Sequence, residues 1–300
     1  MKRSLQELGG SPSEDASPSS APLQKAPKLD DKKYLQVKYK QTCEMYAKMQ
    51  KCALKLSVPQ MTVATAMVFF HKFYSKYSME TYPVETVGAA CLFLGGKAES
   101  TTLRMKGIIH FFFGVTEAQE EAYQKHRNDI TDVELQLIQH LEFDFTVVHP
   151  YRFFIKKLDN EIRGSRDWKQ LGWRLMNDLY NTTLCIKCPP DAIASAVIHV
   201  AAGCIEPTSL PPNWQQHVPV NDELVRKIWS STLNFYKYSG DQELCAVLEK
   251  RQKFRLQRAE QQKAEGQRSS PESLKSLKSP QEHLKSPQEQ VKNEEKSKAS

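Results

Sequence analysis

The sequence predicts an all-α protein in which one helical domain occurs twice, and three observations carry that prediction. From Val87 to Gly96 no residue is charged or strongly polar on any side. A surface helix would keep a polar face, so an element apolar all round belongs in an interior. The same pattern returns at a constant offset of 106: Pro83 falls on Pro189, Glu85 on Asp191, Val87 on Ile193, Ala90 on Ala196 and Leu94 on Val200. Elsewhere apolar residues recur at three- and four-residue steps, and no stretch offers a convincing set of strands. Run backwards without a gap, the offset also sets Tyr180 on Tyr74.

Taken in order, residues 1–30 are rich in Pro and Ser with almost no large apolar groups, and are expected to form a disordered tail. Helical periodicity starts near Tyr34 with Tyr39, Cys43, Tyr46 and Met49, and Ser57–Val58–Pro59 breaks it. A second helix is predicted from Met61 to about Tyr77, with Val63, Ala66, Phe70 and Phe73 on one side. The third is the apolar run, opened by Pro83 where a missing N–H is tolerated, with Gly95–Gly96 read as its cap. A short fourth holds Met105, Ile108 and Ile109, capped by Thr101 or Thr102; a fifth spans about Glu117 to His140. The connector Leu141–Pro150 alternates apolar and polar residues and is expected to be extended and docked. Further helices follow near Tyr151–Ile162, Trp168–Thr183, the second apolar run, Asp222–Tyr236 and Asp241–Gln257, with a Pro-rich loop at Pro207–Pro219. Beyond about Arg258 the periodicity lapses, and Leu277–Lys278–Ser279–Pro280–Gln281–Glu282 is echoed from Leu284 to Glu289. That is low-complexity sequence, expected to be disordered.

The domain boundaries expected are therefore 1–30 for an N-terminal tail, 31–146 and 147–257 for the two helical copies, and 258–300 for a basic tail. The net charge of +7 is concentrated at the end: residues 250–300 carry 13 Lys/Arg against 7 Asp/Glu, while 34–249 hold 23 of each sign. A neutral body argues against a nucleic-acid-binding face. No run is long enough to cross a membrane, and seven scattered cysteines suit a reducing compartment better than a disulfide framework.

Motifs for chemistry are sparse. Gly95–Gly96–Lys97 lacks the first glycine of a phosphate loop, which would fall on Cys91, and it closes a helix where such a loop opens one. Cys185–Ile186–Lys187–Cys188 has zinc-ligand spacing but no second pair to complete four ligands, so packing is the favoured reading and no metal or cofactor is expected. His71 and His199 lie within apolar helical patterns and read as satisfied core residues. The Ser-Pro pairs at Ser11, Ser17, Ser270, Ser279 and Ser286 are candidate sites of proline-directed phosphorylation. Lys250–Arg251–Gln252–Lys253–Phe254–Arg255 is read as a solvated helix face or a weak nuclear-import signal.

Two helical copies, each on a small-residue central helix, resemble the cyclin fold: tandem cyclin boxes, five-helix bundles around that helix. Phe69–Phe70–His71–Lys72–Phe73–Tyr74 and Ala90–Cys91–Leu92–Phe93–Leu94–Gly95–Gly96–Lys97–Ala98–Glu99 resemble the second and third helices of transcriptional cyclins. Phe143–Asp144–Phe145 and Val148–His149–Pro150–Tyr151 resemble their connector. Cyclin K is the nearest type, with cyclins T, L and Q close. The docking patch of cell-cycle cyclins and the zinc ribbon of paired-box general transcription factors do not match here, and Ser100 stands where the usual Lys-x-Glu-Glu ends.

The resemblance implies a nuclear regulatory subunit, not an enzyme, that binds and activates a cyclin-dependent kinase acting on the RNA polymerase II C-terminal domain during elongation. It places Lys97 and Glu134 as polar clamps on the kinase and Phe143 as an apolar contact. The alternative for Lys97 and Glu134 is a surface ion pair worth about 0–1 kcal/mol. The alternatives for the whole chain are a kinase-independent scaffold for transcription or RNA-processing factors, or a Q- or L-type regulator of another kinase.

Overall fold

The computed structural model describes residues 31–205 and 210–239, and beyond these 242, 245–250, 253 and 257. The expectations for the two tails, for Ser11, Ser17, Ser270, Ser279 and Ser286, and for much of a helix at 241–257 lie outside the described residues.

Among the described residues every regular element is a helix. The first set is α1 (Asp31–Leu56), α2 (Gln60–Lys76), α3 (Val84–Ala98), α4 (Met105–Phe113) and α5 (Glu120–His140). The second is α6 (Tyr151–Lys156, continued by a π-helical turn over Lys157–Glu161), α7 (Arg166–Leu179), α8 (Leu184–Lys187), α9 (Pro190–Cys204), α10 (Trp214–His217) and α11 (Asp222–Ser239). Of the described residues, those up to Phe235 form one compact unit and those from Tyr236 a second. Within the second, residues 245–250 are helical and Lys237 pairs with Glu249 at 2.8 Å.

The duplication is borne out in the backbone. The bounds of α3 and α9 differ by 106 residues at both ends, and both helices have a proline N-cap at φ −59°. Nine buried positions of α3, from Val87 to Gly96, map one for one onto nine of α9, from Ile193 to Ala202. Helix α3 packs against α1, α2, α4 and α5, and α9 packs against α6 and α7.

Small residues allow that enclosure. A Cβ on Gly95 would lie 3.1 Å from the Thr62 carbonyl oxygen and 3.2 Å from the Ala66 nitrogen, both rigid backbone of α2. The cap expected at Gly95–Gly96 is thus corrected: the helix continues to Ala98, and the left-handed residue that ends it is Ser100 (φ 52°). The Ser100 N–H donates to Lys97 O and Thr101 N–H to Gly96 O, satisfying the last carbonyls as a left-handed cap does.

Two further expectations are corrected. Helix α4 begins at Met105 with Arg104 as N-cap and no side-chain cap; the Thr101 hydroxyl instead pairs with that of Thr62 at 2.9 Å. The connector is not extended from its start. Glu142 and Phe143 both adopt positive φ, 52° and 62°, and only the residues after Asp144 run out with alternating burial, ending in buried His149 and Pro150.

Candidate functional site

Lys97 occupies the last turn of α3 and Glu134 the middle of α5, and the packing of these helices brings the two side chains together. Lys97 Nζ lies 2.8 Å from Glu134 Oε1. The partners differ in environment: the lysine side chain is 54% exposed and the glutamate 8%. Oε1 itself is buried, and the ammonium stands at the distance of a charge-assisted hydrogen bond to it. An exposed ammonium has three hydrogens. With one directed at Glu134, the others can donate to an outside acceptor, while the buried carboxylate fixes where the ammonium sits. Phe93, one turn earlier on α3, holds it from below: Lys97 Nζ stands 4.3 Å from the ring centroid, within cation–π range. The sequence reading missed Phe93, although its i,i−4 spacing from Lys97 was the available signal.

Phe143 comes from the end of α5. Glu142 N–H donates to Gln139 O at 3.1 Å and Phe143 N–H to Ile138 O at 3.2 Å, the paired bonds of a Schellman cap. The motif favours glycine in its left-handed position; here Glu142 and Phe143 both take that conformation, at roughly 1–3 kcal/mol each. The outcome is a phenylalanine that is 71% exposed. The apolar ring is thus turned to solvent from a strained backbone whose two N–H groups are both bonded.

Beneath this edge the two helical sets are joined by buried polar groups. Thr65 Oγ1 donates to Glu99 Oε1 at 2.6 Å, lies 2.8 Å from His149 Nε2, and His149 Nδ1 lies 2.6 Å from the Tyr180 hydroxyl. One tautomer satisfies the whole chain: Tyr180 O–H to Nδ1, Nε2–H to Thr65, and Thr65 O–H to Glu99. Burial pushes the His149 imidazole down to about 4, against the opposing pull of Glu99. His71 donates from Nε2 to Tyr180 O at 2.8 Å and is likewise held at about 4, chiefly by burial. His199 is also bonded, at 2.8 Å from Val218 O. Sequence reasoning placed His71 and His199 as core residues but did not find the relay through His149.

The Cys185 thiol donates to Thr182 O at 3.3 Å, and burial pushes it up to about 12. All seven cysteines are free thiols. Among the described residues no group of three or more His, Cys, Asp or Glu could hold a metal ion, and no helix is long and apolar enough to cross a membrane.

Comparison with known proteins gives this geometry its family. A model of the cyclin N-terminal domain matches residues 19–146. The chain is 30% identical over 184 residues to cyclin-C1-1 of Oryza sativa subsp. japonica, an alignment covering 61% of this chain and 70% of that one. It is 28% identical over 203 residues to cyclin-T1-4 of Arabidopsis thaliana, covering 63% of this chain but only 37% of the relative's length. Among solved structures, a chain of the yeast RNA Pol II CTD kinase CTDK-1 complex shares the fold at a TM-score of 0.58 and 19% identity, covering 71% of this chain and 69% of that one. The chain belongs to the cyclin family.

Proposed function

We propose that this cyclin is the regulatory subunit of a cyclin-dependent kinase that phosphorylates the C-terminal domain of RNA polymerase II, and that it works in the nucleus to promote transcription elongation. The chain performs no chemistry of its own in this reading, and cyclin K is the type we propose for it. The two boxes are 31–146 and 147–257. The observation that carries the reading is the edge formed by Lys97, Glu134 and Phe143: an ammonium positioned by a buried carboxylate, together with a preformed exposed ring. A surface ion pair would expose both partners and have no reason to place one in the interior.

The physics of kinase activation gives the edge its task. A kinase needs the glutamate of one mobile helix to pair with the lysine that positions ATP phosphates. That helix is bistable, and a surface that binds only its inward position selects the active state. Lys97 would donate to backbone carbonyls of the kinase, Glu134 would accept from its N–H groups, and Phe143 would pack on its apolar face. That a chain of like fold sits in a Pol II CTD kinase complex agrees with this substrate, as does the kinship to cyclins named T and C.

The test is affinity purification of the full chain with identification of stoichiometric partners, followed by assay of the complex on a polymerase-tail peptide. A bound cyclin-dependent kinase active on that peptide is expected. Recovery of transcription or RNA-processing factors without any kinase would overturn the reading in favour of a scaffold.

A further inference from the structure

A second site lies on elements that carry none of the clamp residues. A cleft of about 520 Å³ opens between α1, α2, α8 and α11. Leu35, Phe70, Met79 and Ile186 give it apolar walls, and Lys38 and Lys187 bring two ammonium groups to it. Among the described residues no aspartate or glutamate lines it. Among the described residues neither lysine has a carboxylate within ion-pair distance. His71, the remaining titratable imidazole in the lining, is neutral at physiological pH because it is buried.

Lys38 is already positioned. It donates one N–H to Tyr74 O at 3.0 Å, which leaves two for a ligand. Burial, then the charge on Lys187, hold its ammonium below the ordinary lysine range. Two like charges brought together in a cleft without a counter-charge are a standing cost that a bound anion would remove. Asn181 also lines the cleft; it is 1% exposed, and its Nδ2 donates to Asp178 O at 3.0 Å.

These features together describe the ligand: an anionic group for two lysines and, on the same chain, apolar side chains for the walls, which a peptide carries and a free phosphate does not. We propose that the cleft between α1, α2, α8 and α11 docks a phosphorylated peptide segment of a partner protein, the phosphate between Lys38 and Lys187. A phosphoserine or phosphothreonine carries about −1.5 to −2 charges, which matches two ammonium groups where one carboxylate would leave the cleft positive. The site is independent of kinase binding and supplies the cyclin with a way to choose substrates or co-factors that have already been phosphorylated.

The experiment uses the full chain and an array of heptapeptides with phosphoserine fixed at the centre and randomised flanks. The strongest binders are resynthesised with serine or glutamate at that position and titrated by fluorescence anisotropy. Phosphopeptides are expected to bind about tenfold or more tightly than their serine forms, with glutamate forms also weaker. Lys187→Glu, an exposed change, should abolish that preference, and Lys38→Glu should do the same if thermal melting shows it folded. Lys40→Glu, on the same helix but outside the cleft, should leave it intact. No binders, binders indifferent to the phosphate, glutamate peptides as tight as phosphopeptides, or binding unmoved by Lys187→Glu would each overturn the proposal.

Discussion

Helices α3 and α9 share their length, their proline N-cap and all nine buried positions, yet they end differently. At the close of α3 Lys97 reaches solvent and meets Glu134. At the matching position of α9 stands Gly203, where a Cβ would lie 2.8 Å from the Trp229 ring. The first copy ends at an open edge; the second is capped by an indole. Duplication therefore kept what the core needs and let the rim diverge. Buried positions are constrained by packing from every side, whereas one exposed residue can change at little cost to folding.

The most severe way to test that shared core is to charge its centre. Ala90→Arg and its counterpart Ala196→Arg should each unfold their copy, because both alanines are fully buried and no route leads a guanidinium to water. An unpaired buried charge costs several kcal/mol, a large part of a domain's total stability. Urea denaturation of the two variants should show comparable losses. A folded, cooperatively melting Ala196→Arg beside a collapsed Ala90→Arg would mean that the copies are alike in sequence pattern only.

What the sequence could and could not show follows the same division. The central helices were legible because enclosure leaves a one-dimensional trace: a run with no polar face, repeated at a fixed offset. Lys97 and Glu134 were legible only through family resemblance, since nothing local says that a lysine 37 residues before a glutamate will meet it. The strained backbone at Glu142–Phe143 was not legible, because neither residue favours positive φ and only the tertiary setting imposes it. The Glu99–Thr65–His149–Tyr180 relay was invisible for a similar reason. Its members are ordinary polar residues spread over more than a hundred positions, and only folding brings them into one line.

The next test concerns the rims. Lys97→Ala and Glu134→Ala should each abolish kinase activation while the cyclin stays folded. Removing one member of a desolvated charged contact costs roughly 2–5 kcal/mol, which weakens binding about 30-fold or more. Gly203→Lys should add no activation and should destabilise the second copy, since its side chain must displace Trp229. The readouts are activity on a polymerase-tail peptide and thermal melts of each variant alone. Unchanged activity in both single alanine variants would sink the assignment of the first copy as the kinase-binding one.

The junction between the copies should give way in acid. His71 and His149 have folded-state values near 4, below the ordinary histidine value of 6.5. A depressed value means that the unfolded chain binds protons more readily, so this contribution is intact above about 6.5 and is lost as pH falls towards 4. By linkage the effect is about 3 kcal/mol for each histidine. Melting temperature measured from pH 7 to 4 should fall across that window, and less steeply in His149→Gln. A flat profile would show that these imidazoles are not held neutral by the junction.

The smallest expected effect sits where the copies differ by one atom group. Helices α2 and α7 begin at positions related by the same offset, Gln60 and Arg166, and their N-caps are Pro59 and Ser165, both at φ −61°. In the second copy Ser165 Oγ accepts from the Trp168 N–H at 3.3 Å. In the first, the matching Thr62 N–H donates to the Pro59 carbonyl at 3.1 Å, and no side chain caps the helix. Ser165→Ala should therefore cost about 1 kcal/mol, the usual value of a serine cap. Pro59→Ser would install the same cap on the same backbone, but would also free the unfolded chain from the proline's fixed φ, a loss of about 0.4–1 kcal/mol. The two terms nearly cancel, so Pro59→Ser should change stability by well under 1 kcal/mol while Ser165→Ala destabilises measurably. If Pro59→Ser proved as costly as Ser165→Ala, the proline would be fixing the approach of α2 to α3, and the two starts would be equivalent in φ alone.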